Sequence, residues 1–208
     1  QSDTLVNVWS TTKTMMFLTL LTLADRGEIS LTDPVHKYWP EFKVNGKEGI
    51  EIRHLMAHTA GLSGWAEPMT SDDLFNHDKC AAVLGAQAPW WTPGSQSGYH
   101  AITQGYLIGE VVNRVTGQSL GNFFRENFAE PLGADFHIGT AAEHHHRITN
   151  VIPGVSLLDP TAQPDSIAVR TYTNPKIAAE IAWTPEWRQC ESPAANGHGN
   201  ARSVAQLQ

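Results

Sequence analysis

Cysteine is scarce in this sequence: Cys80 and Cys190 stand alone among 208 residues. Two thiols so far apart do not make a disulfide framework, and neither falls in a metal-ligand spacing; the usage is compatible with a reducing, cytoplasmic compartment. Positive charge is scarce too. Lys and Arg number 14 against 21 Asp and Glu, a formal net charge of −7 with no basic cluster, which argues against a nucleic-acid partner. The longest apolar-rich run, Met15 to Ala24, is too short and too rich in threonine to span a bilayer. No signal peptide is visible, although the chain begins abruptly. Repeats and low-complexity segments are absent. Alternating strand patterns are nearly absent as well, where an average domain would hold roughly 20–25% strand.

What the chain does have is a 41% hydrophobic content, enough for one real core. Seven tryptophans point to tight packing and aromatic-lined clefts. Ten histidines make the charge less negative below about pH 6.5. The apolar periodicity predicts a helix over Thr11–Arg26, capped by Ser10 and stopped by Gly27. Further helices are expected at Ile52–Ala57 (ended by Gly61), Ser71–Gln87, His100–Thr116, Leu120–Ala129 and from about Ser203. Glu143 to Asp165 reads as a His-, Pro- and Gly-rich loop.

The chemistry concentrates at the first of these helices. Serine is a weak nucleophile until a base takes its proton. Ser10 and Lys13 are spaced i, i+3 and so share a helix face. A lysine in a partly apolar site near a helix N-terminus loses proton affinity and can act as a base near neutral pH. Ser-x-x-Lys occurs often by chance, and alone it is also compatible with a plain capping serine. A second element is Tyr99 in "PGSQSGYHAITQGYL", at a junction between a glycine loop and a buried helix, where a phenol can reach into a cleft.

"STTK", "LMAHTAGL", "PGSQSGYHAITQGYLIGEVVNRVTG", "PLGADFHIG" and "ANGHGNARSVAQLQ", in that order, resemble the serine β-lactamase-like group along essentially the whole chain. Within it the sequence is similar to family VIII carboxylesterases, relatives of class C β-lactamases and D-alanyl-D-alanine carboxypeptidases. The resemblance implies an α+β fold of the β-lactamase/transpeptidase type. It implies Ser10 as the acylated nucleophile, Lys13 as its base and Tyr99 as a general acid–base, with no cofactor and no metal. The implied activity is hydrolysis of small acyl esters through an acyl-enzyme. β-Lactamase, peptidase or acyltransferase action on the same machinery is the alternative, as is an inactive relative that only binds.

Two departures qualify the resemblance. The class C pattern Tyr-x-Asn is Tyr99-His100-Ala101 here, which favours simple esters over β-lactams. The family's sheet strands before Ser-x-x-Lys, and its later Lys-Thr-Gly-type strand carrying an oxyanion donor, find no match. Residues 1–208 are therefore expected to be the helix-rich portion of one catalytic domain, with the apolar face of the first helix under-packed. Trp90, Trp91 and His100 are candidate pocket residues. His58 reads as a structural residue at a helix end, and adjacent His144, His145 and His146 alternate direction and suit no shared metal. "GSQSG" fails as a nucleophile elbow because its centre is Gln96.

Overall fold

The computed structural model describes residues 2–154 and 161–208. A helical body carries a small sheet at one end. In chain order the body holds α1 (Thr12–Asp25), α2 (Ile52–Met56), α3 (His77–Ala86), α4 (Thr103–Thr116), α5 (Leu120–Phe124), α6 (Glu130–Leu132), α7 (Ile167–Thr173), α8 (Pro185–Gln189) and α9 (Ala201–Leu207). The strands are β1 (Leu5–Asn7), β2 (Ile148–Thr149) and β3 (His198–Gly199), in the order β2-β1-β3. β1 runs parallel to β2, pairing Leu5 with Ile148, and antiparallel to β3, pairing Asn7 with His198. The first strand thus enters the sheet and turns at once into α1.

α1 packs against α4 and α5, and α4 in turn against α2 and α3. Met15, Met16, Leu20 and Leu23 of α1 meet Tyr106, Leu107, Ile108, Val111 and Val112 of α4 in one core. The expected under-packed face of α1 is not found. Of its large apolar residues only Leu21 is exposed, because α4 and α5 enclose the helix on the sides its apolar residues occupy. Gly27 takes the left-handed conformation (φ +73°) that closes α1, as its sequence position implies.

Other boundaries differ from the sequence reading for local reasons. α2 stops at Met56, and the residue that turns the chain is His58 (φ +59°), not the later Gly61. Residues 71–87 split into a 3₁₀ turn at Asp72–Phe75 and α3, where Asn76 caps the new helix by accepting from the Lys79 N–H. From Leu120 the helix continues past Ala129 to Leu132 through a π-turn at Arg125–Ala129, which ends two residues before Pro131, a residue with no N–H to donate. The expected loop from Glu143 contains a 3₁₀ turn, Ala142–Arg147, and β2; its residues 155–160 lie outside the described part. Among the described residues no helix is long and apolar enough to cross a membrane.

Candidate active site

Ser10 lies in a 3₁₀ turn, Trp9–Thr11, between β1 and α1. It does not cap α1. No side chain caps that end, and the Ser10 hydroxyl turns instead toward Tyr99 and Lys13. The turn is held in an uncommon shape: Trp9 has φ +47°, a region bulky L-residues rarely adopt. Its ring packs on Trp187 at 5.9 Å between centroids.

In the first turn of α1, Lys13 is buried at 5% exposure. Its Nζ lies 3.3 Å from Ser10 Oγ and donates to the backbone carbonyls of Ala101 (2.8 Å) and Ala194 (2.9 Å). Neither acceptor is charged, so burial is not offset by a carboxylate. Desolvation lowers the Lys13 pKa to about 7. The amine is therefore partly neutral in neutral solution and able to accept a proton from the neighbouring hydroxyl.

Tyr99 completes the cluster from the loop before α4, its OH donating to Ser10 Oγ at 2.7 Å. Lys13 Nζ sits 4.9 Å from the centre of the Tyr99 ring. The ring's other neighbour is His58, with centroids 4.7 Å apart. His58 Nδ1 accepts from the His100 N–H (3.0 Å), and the Gly98 N–H donates to the His58 carbonyl (3.0 Å). Thr103 and Gln104, in the first turn of α4, bond to the carbonyls of Leu62, Leu55 and Met56. The segment after α2 is thereby stitched to the Tyr99 loop, and His58 is seated against the phenol.

The pocket candidates separate. His100 has no exposed surface; its Nε2 accepts from the Leu62 N–H (3.1 Å) and its Nδ1 donates to the Gly98 carbonyl (2.6 Å). That is a brace between two loops, not a pocket wall, because both ring nitrogens face backbone. Trp91 is buried edge-on against His100 and lies over Gly98, where any Cβ would fall 2.6 Å from its ring. Trp90 is half-buried and stacks under the Arg170 guanidinium at 3.9 Å. Burial holds His58 and His100 at about 4, so neither is charged near neutral pH. Both thiols are pushed up to about 12 by burial, which leaves them protonated. The consecutive histidines diverge: His144 stacks on His137, His145 approaches the Thr140 carbonyl and His146 the Glu143 carbonyl.

A family model described as β-lactamase matches residues 1–208. The chain belongs to the β-lactamase family. Within this β-lactamase family it is 34% identical to the esterase/β-lactamase LipL of Mycobacterium tuberculosis, over 99% of this chain and 50% of that protein. Esterase EstB of Burkholderia gladioli is 33% identical over 64% of this chain and 38% of its own length. A solved family VIII carboxylesterase superposes with a TM-score of 0.92 at 40% identity, covering all of this chain and 55% of that one. The chain spans about half the length of LipL and of the solved carboxylesterase, and less of EstB.

Sequence reasoning did not find the two carbonyl acceptors of Lys13, the His58–Tyr99 contact or the two bonds of the buried Thr12 hydroxyl, to the Trp9 carbonyl and from the Gly197 N–H. The first are backbone atoms and carry no side-chain signal. The second pairs residues joined only by the fold. The third rests on a residue visible inside "STTK" but indistinguishable there from any helix threonine.

Proposed function

We propose that the protein is a serine hydrolase that cleaves small acyl esters through an acyl-enzyme on Ser10, and that residues 1–208 form the helix-rich part of one catalytic domain. The observation that carries the reading is the placement of Ser10 Oγ between a buried, uncompensated lysine amine and a phenol hydroxyl. Ser10 Oγ attacks the acyl carbon while its proton passes to the neutral Lys13 amine. Tyr99 gives its proton to the departing alkoxide, and the Lys13 ammonium beside the ring restores it. Ser10 is left esterified and the alcohol leaves. Water then attacks the acyl carbon, its proton passing to the neutral Lys13 amine of the Tyr99–Lys13 pair, which returns it to Ser10 Oγ as the acyl bond breaks, and the carboxylic acid and free Ser10 result.

Ester over β-lactam is supported by Ala101. It offers Lys13 its carbonyl, but its methyl group supplies no amide to bond an acyl-side amide of a β-lactam. The name of EstB as an esterase points the same way, whereas that of LipL carries both activities.

The test is fluorophosphonate labelling of the protein, with peptide mass spectrometry to locate the adduct. The adduct is expected on Ser10 and absent from Ser10→Ala, whose melting temperature stays near wild type since Ser10 is exposed and caps nothing. No adduct on Ser10 would reduce the chain to a binding relative. Short-chain nitrophenyl esters should be turned over well ahead of a chromogenic cephalosporin; the reverse order would make it a β-lactamase.

A further inference from the structure

We propose that Thr12 is a positioning residue for Ser10, its hydroxyl pinning the turn that presents the nucleophile to the distant loop that holds Lys13. The inference rests on the assignment of Ser10 and Lys13 above. Thr12 has no exposed surface. Its Oγ1 donates to the Trp9 carbonyl (2.5 Å) and accepts from the N–H of Gly197 (2.9 Å), a residue 185 positions away. A helix threonine that bonds a carbonyl in the preceding turn is ordinary. A second bond to a remote backbone N–H is not, because it fastens two segments together through one oxygen.

Both segments belong to the site. On one side is the turn at Trp9, whose left-handed φ persists only if its surroundings over-determine it. On the other is the loop Ser192–Gly197, whose Ala194 carbonyl takes a hydrogen bond from Lys13 Nζ. Asn196 keeps that loop tight, its Oδ1 accepting from the Ser192 N–H and its Nδ2 donating to the Trp187 and Cys190 carbonyls. The Val8 N–H donates to the Gly197 carbonyl at 2.9 Å, so Gly197 grips the turn from its other side. Gly197 is required for the approach: a Cβ there would lie 2.6 Å from Thr12 Oγ1 and 2.7 Å from the Phe136 ring. Nucleophile and base are thus set in register by one hydroxyl, which is one step removed from the reacting atoms.

The test compares Thr12→Val, Thr12→Ser and Thr12→Ala with wild type by the rate of fluorophosphonate labelling at Ser10 and its pH dependence. Valine copies the shape of threonine but leaves Gly197 N–H without its acceptor. It should slow labelling by on the order of 10- to 100-fold, the loss expected from small misplacement of reacting groups. It should also raise the acid limb of the profile above its wild-type position near pH 7, since a loosened loop admits water to Lys13. Serine keeps the oxygen and should restore most of both. Should valine fail to fold, the alanine–serine pair carries the same comparison. Equal labelling rates for the variants with and without the hydroxyl, or a slowed valine variant whose acid limb has not moved, would overturn the proposal. Absence of labelling in the wild type would instead sink the Ser10 assignment on which it rests.

Discussion

A buried amine without a counter-charge pulls two properties in opposite directions. At Lys13 the cause of the lowered pKa is desolvation alone, and the two carbonyls that receive its hydrogens satisfy it without restoring charge stabilisation. For catalysis this is favourable. The acid limb of ester hydrolysis should lie near pH 7 and belong to Lys13, because His58 and His100 have already lost their protons above about 4. For stability it is a cost. Between about pH 7 and the ordinary lysine value near 10.4, the unfolded chain binds a proton that the folded one does not, so stability rises with pH across that window and is flat in this respect below it. Lys13→Met removes the dependence. The stability of wild type relative to Lys13→Met, from urea unfolding at about pH 6, 8 and 10, should therefore climb by on the order of a few kcal/mol over the upper interval. A difference that stays level would mean the amine is charged in the folded state. The histidines act lower on the scale: with folded values near 4 against about 6.5 unfolded, they withdraw stability as pH falls from 6.5 toward 4.

At the scale of elements, the site depends on how closely α4 approaches the loop that receives Lys13. Gly105, in the first turn of α4, has no side chain, and a Cβ there would meet the Ala194 nitrogen at 2.5 Å and the Pro193 nitrogen at 3.0 Å. Both are backbone atoms of a tightly bonded loop, so the added methyl has nowhere to go. Gly105→Ala should cost about 1–3 kcal/mol of stability by overpacking, despite alanine's better helix propensity, and should lower ester turnover by displacing the Ala194 carbonyl. A stabilised or fully active Gly105→Ala would show that the loop can yield. How much of this was legible follows element by element. α1 and α4 were readable because their apolar residues recur along long segments ended by Gly27 and Gly117. α7 was unreadable since IAVRTYT buries none of its residues and shows no apolar stripe. α8 carried a signal that went unused: Thr184 caps it by accepting from the Trp187 N–H, Pro185 occupies its first position and Glu186 follows. The strands are two or three residues long, too short for alternation to register. Within the site, Ser10, Lys13 and Tyr99 stood out by residue type and setting. The brace made by His100 did not, since a buried histidine bonded to backbone on both nitrogens looks in sequence like one that faces a cleft.

At the largest scale, segments far apart in the sequence meet at the site, and Asn7 is where they are joined. It is the last residue of β1, almost wholly buried. Its Nδ2 donates to the Ala195 carbonyl (3.1 Å) and its Oδ1 accepts from the Trp187 indole N–H (2.8 Å). Trp187, fully buried on α8, packs in turn on Trp9 beside Ser10. One amide therefore links the first strand, α8 and the Lys13 acceptor loop across sequence separations of 180 and 188 residues. The helical body in between closes by shorter-range contacts such as α3 on α4 and α1 on the turn before it. Asn7→Leu, close in size but unable to bond, strands a buried indole N–H and a buried carbonyl, each costing about 1–3 kcal/mol. The expected result is a loss of roughly 2–5 kcal/mol in urea unfolding, still as one cooperative transition, because Trp187 of α8 lies in the core of the helical body and is bonded to Asn7 of the strand. Fluorophosphonate labelling of Ser10 should slow at the same time. Two separate transitions, or a stability loss with labelling untouched, would mean that the sheet end and the helical body fold as separate units and that the turn at Ser10 is set by α1 alone.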